Sequence, residues 1–244
     1  MGTKLKVLSD IEHMLYRPGM YIGSVINETV DKYILDEETG KFYKKSVSYN
    51  PGFHKLFDEI ISNAVDESKR IGSKLDTIKV EIDLEKNSIS ILDNGGIPVI
   101  IHKDTGMYVP EVCFSVLKAG TNFDDTEDRT GVGTNGVGAS CCCIWSKTFI
   151  VETADGTNKF KQVFSDNMNS RTVAKISPCE KNYTKITYIP DIERFGMTII
   201  DKDTYDCLVS RVYEVAGTNL KLKVYIDGKQ IKIKSFKDYC MMFI

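Results

Sequence analysis

The chain has 244 residues, 42% hydrophobic and 27% charged, with a formal net charge of −2. This is the profile of a globular domain, and it excludes a global basic field that would gather nucleic acid by charge alone. No apolar stretch approaches the roughly 18 residues of a membrane span. The start, MGTKLKVLSDIEH, has no apolar signal-peptide core, and Lys6 stands where a myristoylation motif wants Ser or Thr, so an intracellular location is expected.

In chain order, Ser9 with Glu12 forms a capping box opening a helix that Pro18 and Gly19 stop. DEETGKFYKK reads as a polar hairpin about Gly40. Asn50-Pro51 is an N-cap followed by an N1 proline, opening a helix to about Ile71. TIKVEIDLEKNSISILD alternates with period two on both sides of a turn, a hairpin ending at Asp93. PEVCFSVLKA is a short helix, and the glycine-rich, acidic GTNFDDTEDRTGVGTNG a long loop. KTFIVETADGTNKFKQVFSD is a second hairpin with Asp155-Gly156 at its turn, and TKITYIP a strand. DTYDCLVSRVYEVAG is a helix closed by Gly217, and LKLKVYIDGKQIKI a third hairpin. With no repeat and no low-complexity linker, the pattern predicts an α+β domain: a mixed, largely antiparallel sheet with helices on one face. Seven cysteines form no C-x-x-C pair. The odd count and the run Cys141–Cys143 fit a reducing compartment and buried packing better than a metal centre.

Three stretches carry candidate chemistry. In FHKLFDEIISNAVDESKR, Phe53, Leu56, Phe57, Ile60, Ile61 and Ala64 make one broad apolar arc. Glu59, Asn63, Asp66 and Arg70 fall on a narrow opposite arc. Such polar teeth are either a solvated face with an Asp66–Arg70 ion pair, the plainer reading, or groups aimed at a ligand. In the second case Glu59 can act as general base toward a water, and the Asn63 oxygen can ligate Mg2+. Asp93 precedes the Gly95-Gly96 turn. That is either an ordinary turn or a place where a flat ring approaches the backbone while Asp93 accepts from an exocyclic amine. Finally, Gly131, Gly133 and Gly136 fit G-x-G-x-x-G, with Glu152 about 20 residues on. A dinucleotide turn follows a buried strand, and FDDTEDR cannot be one, so Glu152 is an ordinary strand residue.

DEIISNAVDE, LDNGGIP, GTNGVGAS and YTKITYIPD stand in the order of the four nucleotide-binding motifs of the GHKL superfamily, which holds gyrase, a heat-shock chaperone, histidine kinases and the MutL repair protein. RPGMYIGS, YVPEV, AGTNFDD and YIPDIERF narrow the resemblance to the ATPase domain of type II DNA topoisomerases. It is nearer the eukaryotic, large-virus and T-even-phage enzymes than bacterial gyrase, and covers essentially the whole chain. The resemblance implies the Bergerat ATP-binding fold over 1–217, with 218–244 the last hairpin and the start of a transducer region. It implies ATP and Mg2+ as ligands and an ATP-dependent homodimer in the full protein, this fragment by itself being monomeric. DNA is implied as a partner only through the rest of the enzyme.

Residue by residue, Glu59 resembles the general base, with Lys55 placed to orient it. Asn63 resembles the Mg2+ ligand, Asp93 the reader of the adenine amino group, and Thr184 the threonine near the adenine pocket. Gly120, Thr121 and Asn122 resemble a segment touching ribose and phosphates. Gly133, Thr134, Asn135, Gly136, Val137, Gly138, Ala139 and Ser140 resemble the lid around the triphosphate. Asp66, Glu67, Asn94, Gly96 and Ile97 complete the expected nucleotide-contacting set. The alternatives are a GHKL ATPase of chaperone or mismatch-repair type, or a nucleotide-binding module without significant turnover.

Three departures from the family pattern carry expectations. DNGGIP lacks the basic residue usual between the glycines, so Glu67 should lose its partner and coumarin-type gyrase inhibitors should bind poorly. TGVGTNG carries one residue more than usual. Lys55 stands where many gyrases have His, and His54 is expected to be a packing or surface histidine. The transducer lysine that touches the γ-phosphate in the family would lie near or beyond the end of this chain, so slow hydrolysis is expected.

Overall fold

The structure, a computed structural model, describes residues 5–117 and 137–244. In chain order it contains α1 (Asp10–Tyr16), β1 (Glu28–Asp36), β2 (Lys41–Tyr49), α2 (Pro51–Lys69), β3 (Thr77–Asp83) and β4 (Ser88–Asp93). Then come α3 (Val109–Ser115), α4 (Gly138–Ile144), β5 (Ser146–Asp155), β6 (Asn158–Ser165), β7 (Ser170–Arg171), β8 (Lys175–Pro178) and β9 (Asn182–Pro190). The chain closes with α5 (Lys202–Thr218), β10 (Lys223–Ile226), β11 (Lys229–Gln230) and α6 (Phe236–Met241).

Side-chain chemistry sets the helix starts. The Ser9 N–H donates to Glu12 Oε2 (2.8 Å) while the Glu12 N–H donates to Ser9 Oγ (3.3 Å), a reciprocal capping box. Asn50 Oδ1 accepts from the Phe53 N–H (3.1 Å), and its amide donates to the carbonyls of Val25 and Phe195, tying the start of α2 to two loops. Gly217 departs from the expected role: it lies inside α5, and Asn219 caps the helix. A Cβ at Gly217 would overlap the Tyr239 ring, so this glycine serves close approach of α6, not termination.

The main sheet runs β11-β10-β3-β4-β9-β5-β6-β7, with β8 also on β6. Its pairings are antiparallel except β10 on β3, which is parallel, while β1 and β2 form a separate hairpin. The sheet is therefore mixed and largely antiparallel, as expected, and the segment after Gly217 joins it through β10.

Register explains where the core ends. Residues directly opposite in antiparallel strands share a face. One rung holds Ile82, Ile89, Tyr188, Phe149 and Phe164; the next holds Val80, Ile91, Ile186, Val151 and Gln162. Apart from Gln162, both rungs are apolar, and all ten residues are buried. They pack in one core with Phe57, Ile60 and Ile61 of α2 and Cys141, Cys142, Cys143 and Ile144 of α4. Each such aliphatic or Phe side chain contributes about 1.5–3 kcal/mol on burial. Burial pushes the Cys141 thiol up to about 12, so it packs as a small neutral hydrophobe. The other face is charged. There Glu152 meets Lys159 (3.0 Å) and Lys161 (3.2 Å) and accepts from the Tyr183 hydroxyl (2.9 Å), the surroundings of a strand residue. Among the described residues no helix is long and apolar enough to cross a membrane.

Candidate active site

The third rung of the same face is Ile78, Asp93, Thr184, Thr153 and Phe160. Here the apolar alternation continues into three adjacent polar side chains at the end of the core. Asp93 is half-buried, and its Oδ1 accepts from the Gly95 N–H (2.8 Å). Burial pushes its pKa up to about 7; the Gly95 N–H pulls it back, and the negative charge of Glu67 adds to the rise. Thr184 Oγ1 lies 3.0 Å from Thr153 Oγ1.

The shortened glycine loop is stitched along the end of β5. The Ile97 N–H donates to Thr153 Oγ1 (3.0 Å) and the Val99 N–H to Asp155 Oδ2 (2.8 Å). Between them Gly96 abuts the Ala154 carbonyl so closely that a Cβ would overlap it. Asn94 is held locally. Its Oδ1 accepts from the N–H groups of Asp76 (3.0 Å) and Thr77 (2.9 Å), and its amide donates to Asp76 Oδ1 (2.9 Å). The side chain thus braces the entry to β3.

The second wall is α2. Lys55 Nζ lies 2.6 Å from Glu59 Oε1. Lys before Glu is the weaker order for an i,i+4 pair, worth a few tenths of a kcal/mol at most, so the contact chiefly orients the carboxylate. Burial draws the Lys55 pKa down, but the bond and charge of Glu59 outweigh it and hold Lys55 cationic. From the other side, Gly138 at the start of α4 rests against the Glu59 carboxylate, where a Cβ would overlap. Asn63, one turn beyond Glu59, is exposed. Asp66 and Glu67 are half-buried on the next turn. Without the usual loop cation, Glu67 pairs instead with Arg70, three residues on, whose Nη1 lies 3.1 Å from Glu67 Oε2. The same helix thus supplies the cation that the loop lacks.

Ser140 ends the expected lid. It is buried, and its hydroxyl donates to the Val116 carbonyl (3.2 Å), fastening α4 to the end of α3. Val137 and Ala139 pack partly against the core. Gly120, Thr121, Asn122, Gly133, Thr134, Asn135 and Gly136, with the additional residue of TGVGTNG, lie outside the described residues. His54 is a packing histidine: it stacks on Tyr49 with ring centroids 4.3 Å apart, and burial lowers its pKa to about 3. It lines a cavity of about 470 Å³ beside α2, with Tyr49, Lys55 and Arg211; Asp93 and Thr184 do not line it. Thr153 went unrecognised in the sequence. Its signal was a polar residue at the position where the Phe149, Val151 alternation calls for an apolar one.

Comparison with known proteins agrees with this geometry. Residues 49–190 match the family described as histidine kinase-, DNA gyrase B-, and HSP90-like ATPase. DNA topoisomerase 2 of Arabidopsis thaliana is 41% identical over 242 residues, covering 97% of this chain and 16% of that protein. Human DNA topoisomerase 2-alpha is 41% identical over 240 residues, again covering 97% and 16%. The chain therefore spans 16% of the length of each of these curated relatives. The ATPase region of Saccharomyces cerevisiae topoisomerase II bound to ICRF-187 matches with a TM-score of 0.95 at 38% identity, over 98% of this chain and 65% of that one. The ATPase and transducer domains of Balamuthia mandrillaris DNA topoisomerase II match with a TM-score of 0.94 at 37% identity, over 98% and 63%. With more than half of its length matched by that family, the chain belongs to the histidine kinase-, DNA gyrase B- and HSP90-like ATPase family.

Proposed function

We propose that this chain is the ATP-binding and hydrolysing module of a type II DNA topoisomerase, whose nucleotide cycle drives closure of a dimer gate for DNA strand passage. The observation that carries the reading is Glu59, held between Lys55 and Gly138 on one wall of a site whose other wall is the Asp93–Thr184 rung. Asp93 accepts a hydrogen bond from the adenine amino group, and the phosphates extend toward α2. Glu59 takes a proton from a water lined up with the γ-phosphorus. The new oxygen–phosphorus bond forms as the bond to the bridging β,γ-oxygen breaks, and ADP leaves. Lys55 keeps the carboxylate aimed. Catalysis of this kind is mostly positioning and charge stabilisation.

The donor set suits Mg2+ that keeps most of its shell as water and phosphate oxygen. Among the described residues no group of three or more His, Cys, Asp or Glu could hold a metal, and Asn63 offers one exposed amide oxygen one turn from Glu59. When bound, the ion neutralises phosphate charge. In the whole enzyme this module forms an ATP-dependent homodimer, reaches DNA through other regions, and works inside the cell. The ATPase domain extends past 217, since α5 runs to Thr218 and β10 pairs with β3, and the end of 218–244 leads toward a transducer.

The test measures ATP binding by calorimetry and phosphate release, for the chain and for Glu59→Ala. Retained binding with abolished turnover is the expected outcome. Turnover that survives the substitution removes Glu59 as the base, and absence of ATP binding by the unaltered chain removes the nucleotide reading.

A further inference from the structure

The rung that carries Asp93 contains a hydroxyl pair whose proton count is fixed by its neighbours. Thr153 is fully buried on β5. Its Oγ1 lies 2.9 Å from the Tyr183 carbonyl, 3.0 Å from the Ile97 nitrogen and 3.0 Å from Thr184 Oγ1. A carbonyl only accepts and a backbone N–H only donates, while a hydroxyl has one proton and two lone pairs. The Thr153 proton therefore goes to Tyr183, and its oxygen receives the Ile97 N–H and the Thr184 proton. This arrangement satisfies every group in a place where an unpaired one costs about 1–3 kcal/mol. Thr184, beside Asp93 on the same rung, is left with lone pairs alone for a ligand.

We propose that Thr153 is a specificity-determining positioning residue: by holding the Thr184 proton it makes Thr184 an acceptor, so that Thr184 and Asp93 together select a ring edge carrying an amino group over one carrying a carbonyl. The proposal rests on the nucleotide reading above and deepens it. Thr153 touches no ligand. It acts through Thr184 and, by anchoring Ile97, through the loop that follows Asp93. At pH 8, where Asp93 is mostly ionised, a carbonyl at the same ring position would face two acceptors with no donor between them, which sites built from hydrogen-bonding groups reject strongly.

The experiment compares ATP, ITP and purine riboside triphosphate on the chain by calorimetry with Mg2+. The three differ only at ring position six and the adjoining nitrogen. The unaltered chain should bind ATP at least tenfold more tightly than ITP, and ITP more weakly than the analogue with neither amino nor carbonyl group. Thr153→Val frees the Thr184 proton and should shrink the ATP-to-ITP ratio at least fivefold, while Thr153→Ser restores it. A folded Thr153→Val that weakens ATP and ITP equally, ratio unchanged, makes Thr153 merely structural and overturns the proposal. If Thr153→Val does not fold, Thr153→Ala, which also removes the hydroxyl, takes its place, and an ATP-to-ITP ratio equal to that of the unaltered chain overturns the proposal. Tight binding of all three without discrimination defeats this proposal alone, whereas no triphosphate binding defeats the nucleotide reading itself.

Discussion

Lys55 Nζ sits 2.6 Å from Glu59 Oε1, one turn back along α2, and tethers the carboxylate from one side. Lys55→Met leaves Glu59 without that tether. Hydrolysis should fall roughly 10-fold to 100-fold, less than the 10²–10⁴ that loss of the general base itself would cost, while ATP affinity changes little. Phosphate release and calorimetry on the same preparation separate the two effects. Lys55→Arg should keep much of the rate; parallel losses of rate and affinity would instead make Lys55 a ligand contact.

Gly138 is the second constraint on the same carboxylate. A Cβ there overlaps Glu59, so Gly138→Ala must displace either the side chain or the start of α4. Turnover should drop at least tenfold with little change in melting temperature, since Glu59 is the movable partner and overpacking otherwise costs about 1–3 kcal/mol. Unchanged turnover would show that the Glu59 position in the free chain is not the working one.

The raised Asp93 pKa should make nucleotide binding pH-dependent. Its pKa is raised from 3.8 to about 7 in the folded chain. A carboxylate that must accept from an amino group binds best ionised, so ATP affinity should weaken as pH falls from 8 toward 6. Stability runs the other way. Between the unfolded value and about 7 the folded state holds more protons, so Asp93 makes the chain less stable as pH rises through that window, by roughly 2–4 kcal/mol at most. Asp93→Asn should flatten both profiles. Calorimetric titrations and denaturant melts at pH 5, 6, 7 and 8 check the two signs separately.

His54 carries the opposite sign. Burial lowers its pKa from 6.5 to about 3, so the unfolded chain binds the extra proton. Stability is present above about 6.5 and is lost as pH falls toward 3. Its Nε2 is buried without a hydrogen-bond partner among the described residues. His54→Phe keeps the stack on Tyr49, removes that unpaired group, and should be neutral or stabilising by about 1 kcal/mol at pH 7. The gain should grow on acidification in thermal melts. A loss of more than about 2 kcal/mol would mean that Nε2 is satisfied in solution.

What was legible in the sequence was whatever neighbours along the chain decide. Ser9 and Glu12 close a capping box within one turn, Asn50-Pro51 starts α2, and Asp155-Gly156 turns a hairpin. The helical period separates the Glu59, Asn63 arc from the apolar arc, and period two delivers Asp93 to the end of β4. The glycine pattern that resembled a dinucleotide turn was likewise settled by the polar stretch before it. Where the sequence misled, the partner was one that the local pattern did not single out. Gly217 looked like a helix stop, but it makes room for Tyr239 of α6. Glu67 looked unpartnered because the loop had lost its cation, yet Arg70 lies within reach on its own helix. Asn94 and Ser140 sit in ligand motifs while their side chains are taken up by Asp76, Thr77 and Val116.

The sequence alone determined the identities of the acid, amide and hydroxyl that the chemistry needs, because residue type and local spacing are properties of the chain. Only tertiary structure decided that Asp93, Thr184 and Thr153 share one rung, and that Glu59 is held from both sides. Rung membership depends on the pairing of β4, β9 and β5, strands far apart in sequence. A slip of one residue would turn every side chain to the other face, and no local pattern states which residue stands opposite which.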